Sequence, residues 1–453
     1  MKIIVVGCGK NGRSILSSLL KEGHDVIAID DDAAPLTEVS NIYDVMCVCG
    51  SATDYSVLTE AGADTAELFV AVTSSDEVNM LSCFMARRMG AHHTIARIRS
   101  PQYNASGAAF LKDELELSMA VNPDMLAANE LYELLKLPAA AAIETFSGRR
   151  LEMVILNLKS DSPIAGMRLI DVRHKYAGSY LIGVVQRKNE VTIPDGNFVL
   201  QAGDKIGVVA APVDMVRLLK RLGLAVREVR NVIIIGGSRT AFYLSKRLLA
   251  DGSVVKIIDI DRAICEEFAS SLPEAIVING DGAQQELLME EGITETSAFL
   301  ALTGMDEENI LISYYASTKN VPVVVPKVNR DELCPIAEEL GLERQISHKR
   351  IIADVLVRYA RALKNSVDSS NIESLYKLMD DRAEALEFKA SDAFPKLGVP
   401  LKELPLRSGI LVAGIIRGRR TLIPTGDDSI QAGDRVVVLA AGAILGDLAD
   451  ILR

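Results

Sequence analysis

Apolar positions along this chain follow two rhythms, one for buried strands and one for helices. Ile3-Ile4-Val5-Val6 is an unbroken apolar run of the kind a strand buried on both faces shows. Beyond a glycine-rich step, Ile15, Leu16, Leu19 and Leu20 recur at helical spacing, and Val26-Ile27-Ala28-Ile29 then runs into Asp30. Val45-Met46-Cys47-Val48-Cys49, Leu68-Phe69-Val70-Ala71-Val72 and Thr94-Ile95-Ala96-Arg97-Ile98-Arg99 predict three further strands, with a helix over 77–89 before the last. Strands alternating with helices predict an α/β unit built on a parallel sheet. Residues 110 to 137 read as two helices around Asn122-Pro123. Their apolar positions Leu126, Leu131, Leu134, Leu135 and Leu137 exceed what so small a unit needs to cover itself, which predicts a crossover or interface element.

From 140 to 228 the texture changes. Leu151–Leu156, Tyr180–Val185, Gln186–Ile193 and Lys205–Val209 read as short strands, with turn signals at Asn189-Glu190 and Gln201-Ala202-Gly203-Asp204 and a closing helix from Met215 to Leu222. That is a compact α+β module.

The whole arrangement is then written again. Val72-Thr73-Ser74-Ser75-Asp76-Glu77-Val78-Asn79 returns as Leu302-Thr303-Gly304-Met305-Asp306-Glu307-Glu308-Asn309, and Gln201-Ala202-Gly203-Asp204 returns as Gln431-Ala432-Gly433-Asp434, both 230 residues further on. Pro194 matches Pro424 and Gly50 matches Gly280. The fold predicted is a tandem duplication of a Rossmann-like, doubly wound parallel-sheet domain, each copy followed by a small α+β module. The four domains fall at 1–120, 140–225, 230–348 and 368–453.

The chemistry concentrates where strand meets helix. Gly7-Cys8-Gly9-Lys10-Asn11-Gly12 lies between the first strand and the first helix, and Asp30 follows the third glycine by 18 residues. This is the dinucleotide-binding fingerprint in its proper context: a tight turn, a close approach of backbone to pyrophosphate, and a helix N-terminus that favours anions. Asp30 is placed to take the ribose diol and to repel a 2′-phosphate, which favours NAD over NADP and leaves ATP and ADP open. Ser51, Thr73 and Ser74 follow strand ends, where ligands of such sheets bind. Asp76 reads as an N-cap or a ligand. Arg97 is the candidate phosphate donor, and Arg99 shares its face. In the second copy Gly236, Gly237, Ser238 and Arg239 form the loop, with Ala241 in place of Gly12, and Asp259, Asp281, Thr303 and Lys327 take the remaining positions. Ser238 stands where Gly9 stood and Lys327 where Arg97 stood, so the second site should differ in affinity or ligand.

Composition narrows the classes. With 453 residues, 49% hydrophobic and 24% charged, the chain has ample core for several domains. Its net charge of −12 argues against a nucleic-acid partner; the basic stretch Arg217, Lys220, Arg221, Arg227 and Arg230 reads as a solvated helix face and linker. No apolar run approaches a membrane span, and the N-terminus runs into a buried strand rather than an export signal. Six scattered cysteines form no metal pattern and read as buried thiols in a reducing cytosol. His92-His93 reads as a solvated helix end. The predicted location is cytoplasmic.

These residues together resemble the cytosolic regulatory subunits of Trk-type potassium uptake systems. The resemblance covers essentially the whole chain and rests on the first loop, Asp30, Gly50, Thr73, Asp76, Asn79 and Arg97, with the turns Gly203-Asp204 and Gly433-Asp434. It implies two Rossmann units, each followed by an RCK (regulator of potassium conductance) C-terminal module. It also implies NAD(H) and adenine-nucleotide binding, a homotetrameric ring at the inner face of the membrane, and gating of an integral-membrane potassium-translocating partner. Gly50-Ser51 departs from the family's Gly-Asp, which Gly280-Asp281 keeps. An NAD-dependent oxidoreductase would instead need a proton donor near the nicotinamide and a substrate domain; none of the five histidines stands in such a setting. A scaffold without ligand is the third reading.

Overall fold

The computed structural model describes residues 1–100, 103, 113–137, 140–188, 190–224, 229–367, 372–379 and 382–453. The start of the predicted 110–137 segment, Asn189 and Arg227 lie outside them.

The first unit is a parallel sheet of β1 (Lys2–Val6), β2 (Asp25–Asp30), β3 (Met46–Cys49), β4 (Leu68–Ala71), β5 (His93–Arg97) and β6 (Met119–Val121), ordered β3-β2-β1-β4-β5-β6. Successive residues of β1 face opposite sides: Ile3 and Val5 pack with Ile15, Leu16 and Leu19 of the helix Lys10–Lys21, whereas Ile4 and Val6 pack with Leu58, Met80 and Cys83. Helices therefore cover both faces, as an all-parallel sheet requires. β6 occupies part of a segment that helical periodicity had claimed entirely. Three residues paired in register to Ile95–Arg97 offer too short a pattern to betray a strand.

The first α+β module holds β7 (Ala142–Phe146), β8 (Leu151–Asn157), β9 (Tyr180–Arg187), β10 (Glu190–Thr192) and β11 (Lys205–Ala210), antiparallel in the order β10-β9-β11-β8-β7, closed by the helix Pro212–Arg221. The second unit repeats the parallel sheet with β12 (Asn231–Ile235), β13 (Val254–Asp259), β14 (Ile276–Asn279), β15 (Ala298–Ala301) and β16 (Val323–Pro326), in the order β14-β13-β12-β15-β16. The second module follows with β17 (Ile372–Leu378), β18 (Ala383–Lys389), β19 (Ile410–Arg417), β20 (Arg420–Leu422) and β21 (Arg435–Ala441). It ends in a 3-10 turn, Leu448–Ile451, where the first module has its closing helix.

The recurring Gly-Asp turn has a structural job. Asp204 is 1% exposed; it accepts two bonds from the Arg187 guanidinium and one from the Gln201 N–H, all 2.8 Å. Arg417, Asp434 and Gln431 reproduce the same triangle. Asp204→Ala strips a buried acceptor from three donors and should cost about 2 kcal/mol. Denaturant unfolding measures this; an unchanged midpoint would remove the turn from the list of stabilising features.

The two halves are joined by exchange. The helix Pro123–Lys136 leaves the first unit with Asn122 as N-cap, and its Ala127, Ala128, Leu131 and Leu135 pack against Ala241, Leu244 and Leu248 of the second. The helix His348–Val367 leaves the second unit and lays Ile352, Ala353, Leu356 and Ala360 on Ile15, Leu16 and Leu19 of the first. The predicted interface element is thus one of a reciprocal pair. The modules also pair, with Phe146, Leu151, Met153 and Val209 against Ala385, Ala413, Val437 and Leu439. A Cβ on Gly183 would strike Leu439, and one on Gly414 would strike Leu151.

Beneath this interface runs a buried ionic tie. Arg361, on the second exit helix, donates to both carboxylate oxygens of Glu22 (2.5 and 2.8 Å) and of Glu384 (3.0 and 2.8 Å). Lys377 stands 3.3 Å from Glu22. Three separate parts of the fold meet there: the end of the first unit's loop helix, the exit helix and the second module.

Candidate functional site

In the first unit the sheet order reverses direction between β1 and β4, and the loops after those strands meet there. Gly7 holds φ +93°, and a Cβ on it would lie 2.9 Å from the Thr73 backbone, so a glycine is required by both conformation and space. Gly12 is required by contact: a Cβ there would fall on the Gly7 carbonyl oxygen. Gly9 differs from both. Its φ is −64° and nothing lies within 4 Å of the place its Cβ would occupy. That open space is where the loop faces outward. Among the described residues the N–H groups of Gly9, Lys10, Asn11 and Gly12 have no protein acceptor, which leaves four donors at a helix N-terminus for an anion.

Asp30 closes the other side. Its carboxylate accepts the Cys8 N–H at 2.5 Å and the Asp32 N–H at 3.0 Å, which orients it beside the loop with lone pairs to spare for a diol. Cys8 itself is fully buried; burial, then the Asp30 charge, pushes its thiol up to about 12, so it acts as packing. Ser51 follows Gly50 and holds Thr53 at 2.8 Å, while Ser74 is exposed on the loop after β4.

Asn79 organises the far end. Its Oδ1 accepts the Thr73 N–H and hydroxyl, both at 2.8 Å, and its Nδ2 donates to the Thr73 and Arg97 carbonyls at 3.3 and 2.9 Å. The cap of the following helix, Asp76–Met89, is Ser75, whose Oγ accepts the Val78 N–H; this corrects the expectation for Asp76. Asp76 is the first helical residue, and its Oδ2 instead accepts the N–H groups of Arg99 and Ser100 at 2.9 and 2.8 Å. A serine one residue earlier caps equally well, so sequence alone placed the wrong neighbour. Arg97 is 6% exposed, donates to the Thr73 carbonyl and keeps its Nε without a partner. Burial, then the neighbouring Arg99, lowers its guanidinium to about 10. His93 opens β5 rather than ending a helix, 3.3 Å from the Tyr359 hydroxyl.

The second cleft repeats the plan. Gly236 has φ +96°, Asp259 accepts the Gly237 and Asp261 N–H groups at 2.5 and 2.8 Å, and Asn309 ties Thr303 to the Lys327 carbonyl. Asp281 accepts the Ala283 N–H. Lys327 donates to the Leu302 carbonyl at 3.3 Å, and burial lowers its pKa. Its loop is built differently. The Ser238 N–H donates to the Gly236 carbonyl at 2.9 Å, and the Ala241 N–H donates to the Ser238 hydroxyl at 3.3 Å. Arg239 is exposed at the head of the helix.

Three residues that the sequence did not single out lie between the clefts. Thr240 Oγ1 is 2.6 Å from His348 Nε2 and donates to Asp124 Oδ1 at 3.2 Å, while His348 and Asp124 stand 3.4 Å apart. Burial alone would raise the Asp124 carboxyl, but the bonds from His348 and Thr240 hold it below the usual range. Arg97 and Lys327 both feel its charge. Each of the three is the first or second residue of a helix, and only the exchange of exit helices brings them together. No periodicity in the chain announces that.

Comparison with known proteins agrees with this plan. The TrkA-N domain family matches residues 3–123 and 232–348, and the TrkA-C domain family matches residues 153–223 and 395–453. A Trk system potassium uptake protein TrkA homolog of Archaeoglobus fulgidus is 29% identical over 453 residues, covering 100% of both chains. Trk system potassium uptake protein TrkA of Haemophilus influenzae is 28% identical over 444 residues, covering 97% of this chain and 95% of that one. Among solved structures, the GsuK RCK domain superposes with a TM-score of 0.64 at 18% identity, covering 97% of this chain and 92% of that one. The GsuK channel bound to NAD gives 0.62 at 18% identity, with 97% and 77% covered. These superpositions speak to the fold.

Proposed function

Because this chain belongs to the TrkA family, whose N and C domains it carries twice over, we propose that it is a regulatory subunit of a potassium uptake system, not an enzyme. It binds NAD(H), and ATP or ADP, in its Rossmann clefts and gates a Trk-type integral-membrane partner from the cytoplasmic face, as a homotetramer. Among the described residues no helix is long and apolar enough to cross a membrane, which suits a partner that supplies the ion path.

The observation that carries this reading is where each loop helix goes. Its N-terminus offers donors to a phosphate, and its flank carries the other unit's exit helix. In the first cleft the N–H groups of Gly9 to Gly12 would hold the pyrophosphate and Asp30 the ribose; Thr73, Ser74 and Arg97 line the opposite loop. A ligand that moves the loop helix relative to the sheet moves both the exit helix and the module behind it. Ligand affinity and module arrangement are then reciprocally linked.

Calorimetric titration of the full chain with NADH, NAD, ATP and ADP tests the reading. Saturable binding of at least one nucleotide is expected. No binding by any would favour a scaffold, and consumption of NADH with a small substrate would favour an oxidoreductase.

A further inference from the structure

The two loops differ in state as well as in sequence. In the first, the Gly7 carbonyl lies where a side chain at position 12 would sit, and the loop N–H groups find no acceptor among the described residues. In the second, position 241 is an alanine whose methyl is fully buried, so the Gly236 carbonyl cannot lie there. It is turned instead onto the Ser238 N–H, 2.9 Å away. Ser238 then acts as its own helix cap, its hydroxyl 3.3 Å from the Ala241 N–H, whereas Gly9 has no side chain to do so. Of the four donors that the first loop leaves open, two are already taken in the second. Thr240, the residue before Ala241, has its hydroxyl held by His348 and Asp124.

We propose that the second nucleotide cleft is latched by its own loop: Ser238 and Ala241 together keep it self-capped, and a nucleotide enters only by displacing the Ser238 hydroxyl. The proposal rests on the nucleotide reading above and adds which residues set the rank of the two sites. An anion arriving at this loop competes with an intramolecular acceptor already in place, so the site binds more weakly than its shared scaffold allows. The Gly236 φ and the Asp259 carboxylate bonded to the Gly237 N–H match the first cleft closely, so within the loop and its ribose acid the latch is the part that differs; Lys327 and Asp281, which stand for Arg97 and Ser51, are left unchanged by the test below.

The test uses the full chain carrying Gly9→Val, which blocks the first loop, with and without Ser238→Gly and Ala241→Gly. NADH and ADP are titrated separately into each. Opening the latch should tighten binding of at least one nucleotide at the second cleft by about tenfold. The reverse exchange, Gly9→Ser with Gly12→Ala in otherwise natural protein, should weaken the first cleft by a similar factor. If the opened second loop binds neither nucleotide more tightly while the natural chain binds through its first loop, the latch is wrong and the nucleotide reading stands. If the natural chain binds none of NADH, NAD, ATP and ADP, both fall. Thermal unfolding of each variant shows whether the fold survives the substitutions, and the reverse exchange decides the matter should the double glycine variant unfold.

Discussion

Replacing Gly9 with valine should weaken nucleotide binding at the first cleft about a hundredfold, or about 2.7 kcal/mol, while leaving the thermal midpoint unchanged. The structure makes this substitution clean. Gly7 and Gly12 are fixed by a left-handed φ or by contact with backbone, so changing them damages the turn itself. Gly9 has an ordinary extended conformation and open space before it. The Cβ of a valine there has no protein atom within 4 Å, and its branched side chain adds bulk beside the free N–H groups, where a phosphate would make its closest approach to backbone. NADH titration and a melting curve on the same preparation separate the two effects. Undiminished affinity with an intact fold would move the phosphate away from this loop.

Arg361→Ala should cost about 3–5 kcal/mol of stability, the largest single loss expected in the chain. The residue is 7% exposed, and its loss leaves Glu22 and Glu384 facing each other without their shared cation, in a place where water cannot replace it fully. The pH dependence gives a second reading. Burial would raise the Glu22 carboxyl, but the hydrogen bonds and charge of Arg361, helped by Lys377, pull it below the ordinary glutamate value of 4.5. A carboxyl depressed on folding stabilises the protein above its unfolded pKa, and that contribution fades as pH falls through the folded value. The gap between natural protein and variant, measured by denaturant unfolding, should therefore be full at neutral pH and shrink below about pH 4. A gap that stayed constant through acid would show that Arg361 stabilises by packing alone.

Much of this molecule was legible in one dimension because parallel sheets buried on both faces write continuous apolar runs. Ile3–Val6 and Val232–Ile235 announced their strands, and the glycine spacing announced the turn between strand and helix. Position within a cap was harder: Ser75 and Asp76 are both good capping residues, and only the pull of the Arg99 and Ser100 amides decides between them. Two departures noted in the second loop, Ser238 and Ala241, gave no sign of the hydrogen bonds they enter there. Those bonds depend on where the Gly236 carbonyl turns, and no residue type encodes that. Long-range meetings were invisible. Arg361 lies 339 positions from Glu22, and Asp124 lies 116 from Thr240. Such partners follow from which helix crosses to which unit.

That crossing bears on how the chain is made. When the first unit leaves the ribosome, Ile15, Leu16 and Leu19 of its loop helix already have Ile3 and Val5 to pack on, but the part of that core that Ile352 to Ala360 supply has yet to be synthesised. At ordinary elongation rates the wait is on the order of tens of seconds. Through that interval the nascent chain carries a partly covered core whose missing share is an exit helix, and a neighbouring nascent chain carries the same core and helices of the same design. The single polypeptide shortens the search by tethering the correct helix to its target, yet it leaves a window in which two chains on one messenger could trade segments. Synthesis conditions, as much as sequence, thus bear on how much of the protein reaches its closed form.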